Sequence, residues 1–135
     1  MYKNVLVPIA FDDDAKAEAA MNVARKLADS DGQITLLHVM EHVPGYAISY
    51  VPPDFREQSR KAVQEELDKL AARLDHGTGV LVEGHSGRTI LDYAEENGID
   101  CIVIASHRPG MGDLLLGSTA AKVVRHANCA VHVLR

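Results

Sequence analysis

The chain has 135 residues, 47% of them hydrophobic and 24% charged, the composition of one globular domain spanning residues 1–135 with no room for a second. At this length folding buries roughly 68% of the surface an unfolded chain exposes, so a core forms without disulfide or metal staples. The net charge is −5 with no basic block, and the longest N-terminal apolar run, residues 5–11, is too short for a membrane span and lacks a small-residue cleavage site. The expectation is a cytoplasmic protein with no nucleic-acid or membrane partner.

Residues 2–9 form a short β-branched run apolar on both faces, the pattern of a parallel-sheet strand, and Asp12-Asp13-Asp14 supplies N-cap candidates for a following helix. In that helix Ala17, Ala20, Met21, Ala24 and Leu27 recur at helical spacing, and Gly32 is the expected stop. Residues 34–40 predict a second strand, followed by a long loop over residues 41–53. Asp54 with Glu57 has the form of a capping box, ahead of an apolar stripe of Val63, Leu67, Leu70, Ala71 and Leu74. A third strand is expected over residues 79–82. The next helix carries Gly87, Ile90, Leu91 and Ala94 inward and closes at Gly98. Residues 101–105 are the strongest strand. A Gly- and Pro-containing loop over residues 106–116 then leads to a helix beginning near Gly117-Ser118, with Ala120, Val123, Val124 and Ala127 inward. Residues 130–134 complete a fifth strand.

This alternation predicts an α/β fold, an open, doubly wound, five-stranded parallel sheet with right-handed crossovers and helices on both faces. Ligands in such folds bind beyond the carboxyl ends of the strands where the order reverses, which directs attention to the segments after strands one, two and four.

The loop Ala105-Ser106-His107-Arg108-Pro109-Gly110-Met111-Gly112 and the following Leu114-Leu115-Leu116-Gly117-Ser118-Thr119 join a buried strand to a helix N-terminus, which is an anion-binding arrangement. Phosphate oxygens can accept from Gly117, Ser118 and Thr119, and Arg108 can set a guanidinium over the same charge. The alternative is an ordinary strand-to-helix loop with Ser118 as N-cap. Neither a Walker loop nor a complete dinucleotide fingerprint is present. Cys101 and Cys129 each sit within an apolar run, so buried thiols are expected. The seven histidines include no zinc-protease pair; His38 and His132 fall in strands, and all are read as structural or solvated except His107, which flanks the anion loop. No metal ligands and no catalytic residues are assigned. Met111 and residues 46–50 are read as packing or lid residues. The acidic triplet lacks the acceptor Asp and distal Lys of a response-regulator pocket, and no nucleophile elbow surrounds Ser86 or Ser106.

Asn4-Val5-Leu6-Val7-Pro8, Leu36-Leu37-His38-Val39, Val82-Glu83-Gly84, Ile102-Val103-Ile104-Ala105-Ser106-His107, Leu114-Leu115-Leu116-Gly117-Ser118 and Val124-Arg125-His126-Ala127 together resemble the universal stress protein family, in particular a sub-group with Ser-His-Arg-Pro in the loop. The resemblance spans nearly the whole chain and implies strand order 3-2-1-4-5, a homodimer joined through the C-terminal strand, and ATP or a related adenine nucleotide as ligand, with Mg2+ a candidate companion. It places adenine near Pro8, Ile9 and the backbone of Val39, ribose near Ala105 and Arg108, and phosphates near Gly117, Ser118 and Thr119, with Ser106, His107 and Gly110 in the same loop. Two departures stand out. Ala10 replaces the family's nucleotide-contacting Asp, with Asp12 as substitute, and Ala105 and Arg108 replace the first two glycines of the phosphate motif in a loop one residue short. The leading expectation is a nucleotide-responsive stress or signalling module with at most slow hydrolysis, since no complete phosphoryl-transfer machinery is visible. The alternative is a dimeric scaffold of the same fold that binds no nucleotide. An ATPase or nucleotidyl transferase of related folds lacks its Ser-Gly-Gly and His-x-Gly-His motifs.

Overall fold

The computed structural model describes residues 1–42, 44–106 and 116–135. Its elements in chain order are β1 (Tyr2–Pro8), α1 (Asp14–Leu27), β2 (Ala28–Met40), a 3-10 turn (Ile48–Tyr50), α2 (Pro53–Ala71), β3 (Gly77–Glu83), α3 (Ser86–Glu96), β4 (Cys101–Ala105), α4 (Ser118–His126) and β5 (Ala130–Leu134). The strands form a five-stranded sheet of order β3-β2-β1-β4-β5 in which every pairing is parallel.

Strand alternation sends successive side chains to opposite faces, and the chain uses both. Val5, Val7, Ile34, Leu36, Cys101 and Val103 pack with Ala20, Met21 and Ala24 of α1 and Leu67 and Ala71 of α2. Leu6, Leu37, Ile102 and Ile104 meet Ile90 and Ala94 of α3 and Ala120 and Val123 of α4 on the other side. The sheet is thus doubly wound, with β1 at its centre.

The acidic triplet acts where expected. Asp13 is the N-cap of α1 and accepts from the N–H groups of Ala15 at 2.9 Å and Lys16 at 3.3 Å. Gly98 also acts as expected: its φ of +63° allows the N–H of Ile99 to reach back to the Ala94 carbonyl at 3.0 Å, the longer bond of a Schellman closure.

Three expectations are corrected. The first helix ends at Leu27, not at Gly32, because Ala28 is already extended and pairs with Tyr2 at the start of a longer β2. The register slips between Tyr2 and Asn4, and Gly32 sits in that irregularity, where a Cβ would lie 3.0 Å from the Tyr2 carbonyl oxygen. The start of α2 is set by Pro52 and Pro53 rather than by a capping box, for the cap makes no side-chain hydrogen bond and proline at N1 needs no donor. Val124 is 44% exposed, because only the Ala120 and Val123 flank of the nine-residue α4 reaches the sheet. Tyr46 and Tyr50, read as packing or lid residues, are exposed, and Met111 lies outside the described residues.

The connection from β2 to α2 is tied down at both ends by one carboxylate. Glu83, at the end of β3, is paired with Arg60 and lies 3.9 Å from Arg56, both on α2, and 3.8 Å from His42, just after β2.

Candidate functional site

β1 leads outward to β2 on one side of the sheet, and β4 leads to β5 on the other, so the connections leaving β1 and β4 part at their carboxyl ends. A cavity of about 230 Å³ opens there, walled by the ends of β1, β2 and β4 and the beginnings of α1, α3 and α4. It is lined by Pro8, Ile9, Ala10 and Asp12 after β1, Val39 on β2, Ala105 and Ser106 after β4, and Gly117, Ser118 and Thr119 at α4. These are ten of the thirteen residues singled out from the sequence. The other three, His107, Arg108 and Gly110, lie outside the described residues.

Gly117 is the N-cap of α4 and supplies no side chain to cap it. Its own N–H is directed back to the Ser106 carbonyl at 3.3 Å, and its carbonyl accepts from Ala121 at 2.9 Å. The backbone donors this helix start offers are therefore those of Ser118, Thr119 and Ala120, one residue later than the sequence suggested. They stand at the positive end of the helix dipole, beside the cavity. Ser106 is 5% exposed, and its hydroxyl donates to the Leu134 carbonyl at 3.2 Å. It contributes wall rather than a free donor.

At the opposite wall the sheet supplies backbone groups. Ile34 N–H donates to His76 on the β3 side, whereas the Leu37 carbonyl accepts from Ile9 on the β1 side, so polar groups of odd-numbered residues here face β1. By that alternation Val39 directs its N–H and C=O toward β1, past Pro8, the last β1 residue in register with β2. A donor and an acceptor on one residue at a cavity wall suit the edge of a heterocyclic base.

Sequence reasoning missed His38, Lys16 and Ser86, which also line the cavity. The signal for Lys16 was available, since it lies in the first turn of the helix after strand one. His38, read as a structural strand histidine, is half-buried, with Nδ1 2.7 Å from the Ile9 carbonyl oxygen and its ring centroid 5.0 Å from that of Phe11. Ser86 Oγ donates to Glu41 Oε1 at 3.5 Å.

Asp12 is the one carboxylate among the described lining residues, and no group of three His, Cys, Asp or Glu side chains among the described residues is placed to hold a metal ion. Cys101 is buried and Cys129 half-buried, both as free thiols. Burial pushes the Cys101 thiol up to about 11 and raises that of Cys129, so both stay protonated near neutral pH and are poor nucleophiles. No described helix is long and apolar enough to cross a membrane.

Comparison with known proteins agrees with this architecture. The universal stress protein family model matches residues 1–135. Universal stress protein G of Escherichia coli O157:H7 is 31% identical over 142 residues, covering 100% of both chains. The solved structure of universal stress protein UspA from Lactobacillus plantarum superposes with a TM-score of 0.72 at 28% identity, covering 99% of this chain and 98% of that one. A universal stress protein from Archaeoglobus fulgidus, solved in complex with dAMP, shares the fold at a TM-score of 0.69 and 18% identity, covering 99% of this chain and 98% of that one. With the fold, the strand order and a whole-length family match in agreement, this chain belongs to the universal stress protein family.

Proposed function

We propose that this protein binds an adenine nucleotide, ATP foremost, in the cavity at the ends of β1, β2 and β4, and acts as a cytoplasmic, nucleotide-responsive stress or signalling module with at most slow hydrolysis. One observation carries the reading: a single cavity is lined both by Val39, with its backbone pair, and by the start of α4, where the N-cap residue Gly117 offers no side chain to cap the helix. The first suits the base and the second the phosphates, with Asp12 positioned to replace the carboxylate that Ala10 lacks. The Archaeoglobus fulgidus protein of the same fold holds dAMP, which supports an adenine ligand here. Ser118, Thr119 and Ala120 would hold the phosphates; a divalent cation such as magnesium would supply charge neutralisation there when bound.

Calorimetric titration of nucleotide-stripped protein with ATP, ADP and AMP in the presence of magnesium tests this. The expected result is saturable binding that strengthens with phosphate number. Absence of heat and of thermal stabilisation for all three would overturn the reading and favour the second one, a dimeric scaffold without nucleotide, to which Ala10 points.

Dimerisation is part of the same proposal. β5 ends the sheet, and its Val131 and Val133 are only partly covered. The Leu134 carbonyl faces β4, where it accepts from the N–H of Ser106, so Val131 and Val133 turn their backbone groups to the open edge. Antiparallel pairing of two β5 strands about a two-fold axis satisfies those groups. Val133→Pro removes one edge N–H without touching the β4 ladder, and light scattering should then report a monomer where the wild type is a dimer. A monomeric wild type at micromolar concentration refutes the interface.

A further inference from the structure

We propose that His38 is a positioning residue for the base end of the cavity, an inference that rests on the nucleotide reading above. Pairing of β1 with β2 ends at Pro8 opposite Leu37, and a last backbone bond from Ile9 N–H to Leu37 O follows at 2.8 Å. Beyond that point no described backbone bond holds the chain leaving β1 against β2. The next link is the imidazole of His38, whose Nδ1 lies 2.7 Å from the Ile9 carbonyl oxygen. A carbonyl oxygen only accepts, so Nδ1 carries the proton and donates.

The position of this bond matters. It fixes Ile9 one residue before Ala10, at the place where Val39, next to His38, presents its N–H and C=O toward the β1 side. If the Ile9 carbonyl were released, it would be free to turn toward the Val39 N–H, and the chain itself would fill the slot that the base needs. The side chain of His38 thus holds the exit of β1 away from the Val39 pair and keeps that pair open. Phe11, 40% exposed, closes over the ring at 5.0 Å in a tilted contact, which limits the imidazole to the rotamer that makes the bond. This part-buried hydrogen bond needs both partners, so an apolar residue at position 38 leaves the Ile9 carbonyl without its donor.

The test uses the full chain as wild type, His38→Leu and His38→Asn, since the Asn Nδ2 occupies nearly the place of the imidazole Nδ1 and can donate the same bond. ATP, ADP and AMP are titrated into each. In His38→Leu all three should weaken by the same factor, about tenfold, the worth of one net hydrogen bond. The gain in affinity per added phosphate should stay at its wild-type value, because the α4 end of the cavity is untouched. His38→Asn should recover most of the loss. Wild-type affinity in His38→Leu overturns the inference. So does a collapse of the phosphate increment, which would mean general damage to the fold, and so does an Asn variant as weak as the Leu variant. A wild type that binds none of the three overturns the nucleotide reading itself, and is told apart from these because it precedes any substitution.

Discussion

Gly117→Val is expected to weaken ATP binding by at least about a hundredfold, the loss of two hydrogen bonds to a charged group, while leaving the unfolding transition near that of wild type. The backbone at Gly117 has φ −61° and ψ 156°, an extended conformation open to a β-branched residue, so the substitution imposes no backbone strain. A Cβ there would lie 3.2 Å from the Ser106 carbonyl oxygen, a tight contact with a strand end that is itself bonded to Leu134. The two methyl groups beyond that Cβ have little room on the Ser106 side and extend into the cavity, in front of the Ser118, Thr119 and Ala120 donors. Gly117→Ala, which adds only the Cβ, should fall between the two. Calorimetry with ATP, paired with a denaturant midpoint for each variant, checks the result. Unchanged affinity in the valine variant would remove the α4 start from the phosphate site.

The parts of this site that were legible in the sequence were legible for two reasons. Local rules mark where to look, since the apolar runs of β1, β2 and β4 stop there and Gly117, Ser118 and Thr119 open α4 after Ser106, while the resemblance to the universal stress protein family named Pro8, Ile9, Ala10, Asp12, Val39 and Ala105 at those ends. Gly98 was legible because a left-handed residue closes a helix there and glycine adopts it freely. His38 was not legible as a site residue. Its role depends on a carbonyl 29 positions earlier turning toward it, which no local pattern encodes. The early half of β2 was hidden for a related reason. Ala28, Asp29, Ser30 and Asp31 are polar or small because most of that stretch is only lightly covered, so the strand has no apolar alternation and reads as the last turn of the helix before Gly32. Residues 46–50 were less legible: Tyr46 and Tyr50 were read as packing or lid residues from their composition, yet both lie exposed.

The largest effect on stability is expected at Gly77, where α2 returns to the sheet. An added Cβ would lie 2.4 Å from the Ala71 carbonyl oxygen and 2.8 Å from Leu74 Cβ, so relief requires moving the last turn of α2 away from β3. Leu67, Ala71 and Leu74 belong to the core cluster on this face, and separating them from β3 opens that core. Gly77→Ala should therefore cost about 3 kcal/mol, the upper range for overpacking, and lower the melting temperature by roughly 10 °C in a chain of this size. Gly79→Ala follows the same logic against Leu67, whose Cβ would be 2.9 Å away and whose carbonyl carbon 3.0 Å. Gly45→Ala is the internal control. A Cβ at Gly45 meets nothing within 4 Å and its φ is not in the left-handed region, so it should be neutral or stabilising by a few tenths of a kcal/mol through the unfolded chain. Chemical denaturation separates the cases: a lower midpoint at positions 77 and 79 with none at 45 means that β3 carries glycine because α2 lies against it. Equal midpoints for Gly77→Ala and Gly45→Ala would contradict the close packing of α2 on β3, and with it the alignment of Arg56 and Arg60 on Glu83 that ties α2 to the end of β3.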